Sequence, residues 1–263
     1  MITGYHKHIR QNRQPILAQE HLDRAWLRLG IEKAYFLNLP QCIERRNFME
    51  EQLSIFGLDP ICVQATDIKE LPPVLCDGPM LSSPREQACL VSHLRLAASI
   101  ADGPDELVLV LEDDCVLGSP HQQFDLFERL PPQWEILQLG SNNANAQRSL
   151  QTMWKIGLHA IRWEHSLWGA YGYLLKRSGA RRLCDRFLTS EGEIDLRGWH
   201  RPFRCVADFV LFESLETFSL CYPLAVPHEA FPSTIGHPAP LLKQVLGLEQ
   251  QVRDFWLLHG SKA

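Results

Sequence analysis

Apolar residues run unbroken from Leu107 to Leu111, and three carboxylates, Glu112, Asp113 and Asp114, follow at once. Five consecutive apolar, partly β-branched residues predict a strand buried on both faces, as in a parallel sheet. Similar short runs flank it. Residues 34–39 read as a strand ended by Pro40, and residues 45–56 as a helix with Met49, Leu53 and Phe56 on one side and Gly57 as its stop. A second strand is expected over 61–65, finishing at Thr66 and Asp67. After a Pro-rich loop, Ser83, Pro84 and Glu86 form a helix start with a capping box, and Leu90, Leu94 and Ala97 lie on one stripe.

Beyond the acidic triplet, residues 124–130 are amphipathic, 134–140 read as a strand, 141–148 as a polar loop and 163–175 as a Gly-containing strand. Ser178 is the expected cap of a helix with Leu183, Phe187 and Leu188 facing inward. Residues 189–205 form a long loop, and Asp208 opens an apolar piece over 209–215. Residues 222–240 are irregular. The pattern predicts an α/β fold, divided into an arm and helix (1–30, with Leu17, Leu22, Trp26 and Leu29 on one side), a first half (31–140), a second half of the same domain (141–240) and a C-terminal helix (241–263).

Composition narrows the class. The 263 residues are 45% hydrophobic with a net charge of −5, and no basic run exists to track a nucleic-acid backbone. Eight cysteines are scattered without zinc-finger spacing or the density of a disulfide framework, so reduced thiols in a cytoplasmic protein are expected. Residues 1–13 show no apolar leader core, and no stretch reaches the ~20 apolar residues of a membrane span. Peripheral membrane contact stays open.

Three adjacent acids repel one another unless a cation or hydrogen-bonding ligand offsets their charge. Their place at the carboxyl end of a central strand is where open α/β sheets hold ligands, and hard oxygens suit Mg²⁺ or Mn²⁺ with a partner phosphate. The residues alone thus suggest a metal and diphosphate site, against the plainer reading of a solvated acidic turn. Asp67, at the end of the second strand, suits a ribose or base.

Several stretches resemble glycosyltransferase family 25: Tyr35–Leu39 with Arg45 and Arg46, Ala65–Asp67, Glu86–His93 and Leu109–Asp114, with weaker matches at 134–140, 169–183 and 233–235. The resemblance spans roughly residues 33 to 236, in order. Arg85 and Ala88 depart from it where the family carries glycine. It implies a GT-A-like single domain with a mixed, mostly parallel sheet flanked by helices, a nucleotide-sugar donor, a divalent cation on a DXD-like motif, and inversion at the anomeric carbon.

On that basis Glu112 and Asp114, alternate residues expected to share a side, are candidate metal ligands, with His228 or His237 completing the shell. Asp113 is expected on the ribose or donor hydroxyls. Asn38, Arg45, Thr66 and Asp67 are expected around a uridine nucleotide, with Arg45 able to meet a phosphate or simply to stand solvated in its helix. Glu86 is a donor-site candidate or only the capping-box acceptor; His93, on a helix face with Cys89, is a donor contact or a core histidine. Asp208 is the candidate general base, with Glu213 and Asp195 as rivals and a helix N-cap as the plain alternative. Trp163, Trp168 and Trp199 are either sugar platforms or core residues. The expected activity is metal-dependent, inverting transfer of a hexose, galactose by the resemblance, from a UDP-sugar to a hydroxyl of a glycan or protein. A non-catalytic nucleotide-sugar or glycan-binding module is the alternative. A nucleotidyltransferase would need a Gly-rich phosphate loop, and Leu39-Pro40-Gln41-Cys42 is not one.

Overall fold

The computed structural model describes residues 24–78, 82–120, 125–199, 205–231 and 247–260. Its strands are β1 (Lys33–Asn38), β2 (Asp59–Gln64), β3 (Val74–Leu75), β4 (Leu107–Glu112), β5 (Cys115–Leu117), β6 (Ile136–Gln138), β7 (Ala160–Arg162), β8 (Gly172–Lys176), β9 (Ile194–Asp195), β10 (Thr217–Leu220) and β11 (Ala225–Pro227). The helices are α1 (Ala25–Arg28), α2 (Ile43–Ile55), α3 (Pro84–Asp102), α4 (Ala144–Lys155), α5 (Arg177–Phe187), α6 (Ala207–Ser214) and α7 (Leu248–His259).

Seven strands form one sheet in the order β2-β1-β4-β8-β6-β10-β7. β8 and β7 run against the other five. The fold is therefore the expected mixed, mostly parallel α/β sheet flanked by helices. β4 lies between parallel β1 and antiparallel β8, and its successive side chains enter two different cores. Leu109 and Leu111 pack with Phe36, Met49, Leu53 and Phe255 on one face. Val108 and Val110 pack with Leu90, Leu94, Leu183 and Val210 on the other. Covering both faces explains why the run has no polar alternation. Pro60 is tolerated because β2 is at the sheet edge.

The capping box of α3 forms as expected: Ser83 Oγ accepts from the Glu86 N–H at 3.2 Å and Glu86 Oε2 accepts from the Ser83 N–H at 2.7 Å. Several other expectations change. Residues 141–148 are not a loop throughout, because α4 begins at Ala144, capped by Asn143. Its buried face carries Gln147 and Gln151 beside Leu150, which blurs the apolar period. The strand expected over 163–175 begins only at Gly172; Gly169, with φ +123°, lies in the turn before it. α5 begins at Arg177 with Lys176 as its N-cap, so Ser178 sits inside the first turn rather than capping it. The amphipathic piece shortens to a 3₁₀ turn over Leu126–Arg129. Within the loop 189–205, β9 pairs with β3. Of the helix expected near residues 16–29, one turn is α1 and residues 16–23 lie outside the described part. Among the described residues, no helix is long and apolar enough to cross a membrane.

Gly140 follows β6 where another chain segment comes close: a Cβ there would stand 2.6 Å from Tyr171 Oη and nearer still to the Ala225 carbonyl. Gly140→Ala is expected to destabilise the protein by about 2 kcal/mol, read as a lower urea midpoint. A midpoint equal to wild type would contradict this packing.

Candidate functional site

β4 ends at Glu112, and Asp113 and Asp114 form a turn before β5. The alternation expected of an extended segment therefore stops at Glu112, and Asp113 and Asp114 share Arg45 while Glu112 turns to α3. Asp113 is buried, with Asn38 Nδ2 donating to its Oδ2 at 2.7 Å and Arg45 Nη1 donating to its Oδ1 at 2.9 Å. Arg45 Nη1 also lies 3.4 Å from Asp114 Oδ2. Asn38 comes from the end of β1 and Arg45 from the first turn of α2. Asn38 Nδ2 also donates to the Cys42 carbonyl at 3.1 Å, fixing the intervening turn.

Burial, then Glu112 and Asp113, pushes the Asp114 carboxyl up to about 8. Burial likewise moves Asp113 upward, outweighing Arg45 and Asn38. Arg45 is thus committed to carboxylates rather than solvated.

Glu112 faces α3. Its Oε1 is 3.2 Å from His93 Nε2 and 3.5 Å from Cys89 Sγ. His93 is fully buried, with Nδ1 2.9 Å from Tyr173 Oη, so it backs Glu112 from the α3 side. Sequence reasoning missed Tyr173, which the antiparallel pairing of β8 with β4 brings to this face. It also missed Ser92 and Arg95. The Thr66 N–H donates to Ser92 Oγ at 2.8 Å and Arg95 Nη1 donates to Thr66 Oγ1 at 3.2 Å. Ser92 follows Cys89 by three residues, a helical spacing that placed it on this face in principle.

A cavity of about 540 Å³ opens at the carboxyl ends of β1, β2 and β4. Its walls include Leu37, Leu39, Thr66, Asp67, Cys89, Ser92, Glu112, Asp113 and Asp114, with Lys69 and Arg85 as cations on the lining. Asp67 accepts the Lys69 N–H at 2.9 Å, and this bond holds its carboxyl below the usual range. Glu86 is absent from the lining and is occupied as the capping-box acceptor, which favours the plain reading of that residue.

Asp208 sits in the first turn of α6, whose N-cap is Val206, so it is not the cap. Its Oδ2 accepts from the Gly169 N–H at 3.0 Å and its Oδ1 from the Phe209 N–H at 3.2 Å. Burial pushes its carboxyl up against those bonds, and the charge of Glu112 adds to the rise. The rivals are engaged elsewhere: Glu213 pairs with His165, and the carboxylate of Asp195 is held by Arg197 at about 2. Trp163 donates Nε1–H to the Leu167 carbonyl and packs against Phe212, and Trp199 packs against Phe187, as core residues do.

His228 adjoins the acids through its backbone, its N–H donating to the Asp114 carbonyl at 2.6 Å. Its Nδ1 lies 3.0 Å from Glu249 Oε2, and its ring packs against Phe48 and Phe231. His237 lies outside the described residues. Glu112 and Asp114 are hard oxygen donors on the cavity wall, and a divalent cation offsets both the burial that chiefly raises Asp114 and the repulsion from Glu112 and Asp113 that adds to it, so the residues fit Mg²⁺ or Mn²⁺.

Fold and cavity together define an α/β ligand-binding protein with its site at strand ends, and sequence comparison makes it specific. The chain belongs to glycosyltransferase family 25 (LPS biosynthesis protein), whose model matches residues 31–196. It is a glycosyltransferase. No curated protein matches the sequence at a significant level. Among solved structures, glucosyl-3-phosphoglycerate synthase from Mycobacterium tuberculosis, crystallised with Mn²⁺, UDP and phosphoglyceric acid, is 13% identical with a TM-score of 0.35, covering 93% of this chain and 83% of that one. Mouse xyloside xylosyltransferase 1 is 14% identical with a TM-score of 0.32, covering 57% of this chain and 55% of that one. A glycosyltransferase involved in glycosylation of the major capsid of PBCV-1 is 9% identical with a TM-score of 0.31, covering 84% and 98%. The family match, not these distant likenesses, carries the assignment.

Two outcomes follow from the charges. Arg45→Met removes the cation beside buried Asp113 and is expected to cost about 3 kcal/mol, measured by urea unfolding without added metal. Burial alone would raise Glu249, but His228, the Glu229 N–H and Arg253 hold it at about 2 against an ordinary 4.5. A depressed carboxyl stabilises the fold above its unfolded value and loses that contribution as pH falls toward the folded one. Glu249→Gln should therefore be less stable than wild type by up to about 3 kcal/mol near neutrality, with the gap closing between about pH 4.5 and 2. A gap independent of pH would remove the ionic part of this explanation.

Proposed function

We propose that the protein transfers a hexose, galactose by family resemblance, from a UDP-sugar to a hydroxyl of a glycan or protein, with inversion and with a divalent cation. The observation that carries this reading is the acidic triplet at the end of β4, on the wall of a cavity reached by the ends of β1 and β2. Glu112 and Asp114 are the residues that would hold Mn²⁺ or Mg²⁺, with His228 beside them. When bound, the cation supplies positive charge that offsets the charge developing on the departing diphosphate. Thr66 and Asp67 hold the nucleoside side of the donor. Asp113, with both oxygens already bonded, keeps the turn in place through Asn38 and Arg45. His93 and Tyr173 orient Glu112.

Asp208 takes the proton of the acceptor hydroxyl. The acceptor oxygen then attacks the anomeric carbon from the face opposite UDP, the new C–O bond forms, and the bond to the diphosphate oxygen breaks. Burial raises the proton affinity of Asp208, which suits a base. The cytoplasm, where UDP-sugars are accessible to a protein with reduced thiols, is the proposed compartment.

The test is a thermal-shift screen of UDP-sugars with and without Mn²⁺, followed by transfer and donor-hydrolysis assays. One UDP-sugar should raise the melting temperature in the presence of the cation, and Asp208→Asn should lower kcat by about 10²–10⁴ with donor KM little changed. A protein that binds the donor but never releases free sugar would be the binding module instead. Unimpaired transfer by Asp208→Asn would remove that residue as the base.

A further inference from the structure

We propose that Cys89, His93 and Glu112 form a Zn²⁺ site on the cavity wall, sharing Glu112 with the hard-cation role assigned to Glu112 and Asp114 but differing from it in its sulfur and nitrogen ligands. Among the described residues, these three are the one group of metal-ligating side chains whose donor atoms all lie within 4.8 Å of one another. Cys89 and His93 are four residues apart on α3 and so share a helix face, while Glu112 reaches them from the end of β4.

The spacing suits zinc. Zn–O and Zn–N bonds of about 2.0 Å and a Zn–S bond of about 2.3 Å, at tetrahedral angles, put oxygen about 3.3 Å from nitrogen and about 3.5 Å from sulfur. The observed separations from Glu112 Oε1 are 3.2 Å to His93 Nε2 and 3.5 Å to Cys89 Sγ. The same geometry in the absence of metal is a hydrogen-bonded cluster, so distance does not stand alone. The donor set adds that a sulfur ligand favours Zn²⁺ over Mg²⁺ or Mn²⁺. Tyr173 Oη, 2.9 Å from His93 Nδ1, supplies the outer hydrogen bond that orients a ligating imidazole. Cys89 and Glu112 both line the cavity, so the site borders open space from which a fourth ligand can come, as in a zinc site with three protein ligands.

Binding replaces the Cys89 S–H bond with a Zn–S bond and releases that proton to solvent. It also engages Glu112, so Zn²⁺ suppresses sugar transfer; this consequence, unlike the site itself, rests on the transferase reading above.

The experiment uses the full chain, stripped with chelator and titrated with Co²⁺ and then Zn²⁺ without sugar donor. One equivalent of Co²⁺ should give a thiolate-to-cobalt charge-transfer band in the near ultraviolet, which Zn²⁺ abolishes and millimolar Mg²⁺ does not. Cys89→Ser and His93→Gln should lose the band and weaken Zn²⁺ binding about tenfold or more. Cys42→Ser, which removes another thiol on the cavity lining, should keep it. In wild-type protein, Zn²⁺ should slow alkylation of Cys89 about tenfold, mapped by mass spectrometry, a readout that needs no folded variant. Absence of the band, a band surviving Cys89→Ser, or unchanged alkylation overturns the site. Zinc bound in this way with no transfer activity under any condition leaves the site standing and removes the transferase reading.

Discussion

The burial of one carboxylate, Asp113, between Asn38 and Arg45 is the interaction on which the site depends. An isolated buried carboxylate is costly, and a single cation offsets it only when the remaining lone pairs are also satisfied. Here one oxygen receives the Asn38 amide and the other the Arg45 guanidinium. With Asp113 pinned, the turn after β4 cannot swing, and Glu112 and Asp114 are fixed on either side of it. Arg45 is spread between two acids and therefore neutralises neither fully, which is why burial still drives Asp114 upward. The turn thus sets two carboxylates against one guanidinium.

The C-terminal helix stabilises the same turn from the other side. β11 pairs with β5, and the next residue, His228, donates its backbone N–H to the Asp114 carbonyl. Glu249 in α7 then gathers the His228 ring, the Glu229 N–H and Arg253. Phe231 packs on the His228 ring, and Arg45 lies over the Phe231 ring at 5.6 Å. Changes at α7 can therefore reach the acids without any helix residue touching a donor.

Legibility in the sequence follows burial. β4, the strand before α2, and the capping box of α3 were readable because an unbroken apolar run, a terminal proline and a Ser-Pro-x-Glu spacing each have one physical meaning. α4 was not, because Gln147 and Gln151 occupy its buried face, where Gln147 Oε1 accepts the Ser141 N–H instead of packing as an apolar group. β5, β10 and β11 are three or four residues long, too short for any period to register. Among the site residues, the acids stood out by their clustering. His93 and Cys89, the partners of Glu112, shared a legible helix face, but Tyr173, which bonds His93, did not stand out, since it arrives only through the register of β8 on β4, which no local pattern encodes. The strand alternation assumed for Glu112 and Asp114 does not extend past Glu112, because the chain turns at Asp113, yet both carboxylates line the cavity.

A second buried polar group explains how the distant Asp208 is brought to the same end of the sheet. Gln138 in β6 has no exposed surface, and its Nε2 donates to the Leu167 and Gly169 carbonyls at 2.7 and 3.0 Å while its Oε1 accepts from Ser219 Oγ at 2.7 Å. Every strong hydrogen-bonding site that the amide must satisfy is engaged, so the network rigidifies rather than destabilises. It ties the 167–169 turn to two neighbouring strands, and Gly169, in a left-handed conformation that spares a Cβ from Tyr171 and Asn142, then directs its N–H at Asp208. The acid cluster is held by β1 and α2, and Asp208, through the 167–169 turn, by β6 and β10, so the shared sheet sets the spacing of the two groups.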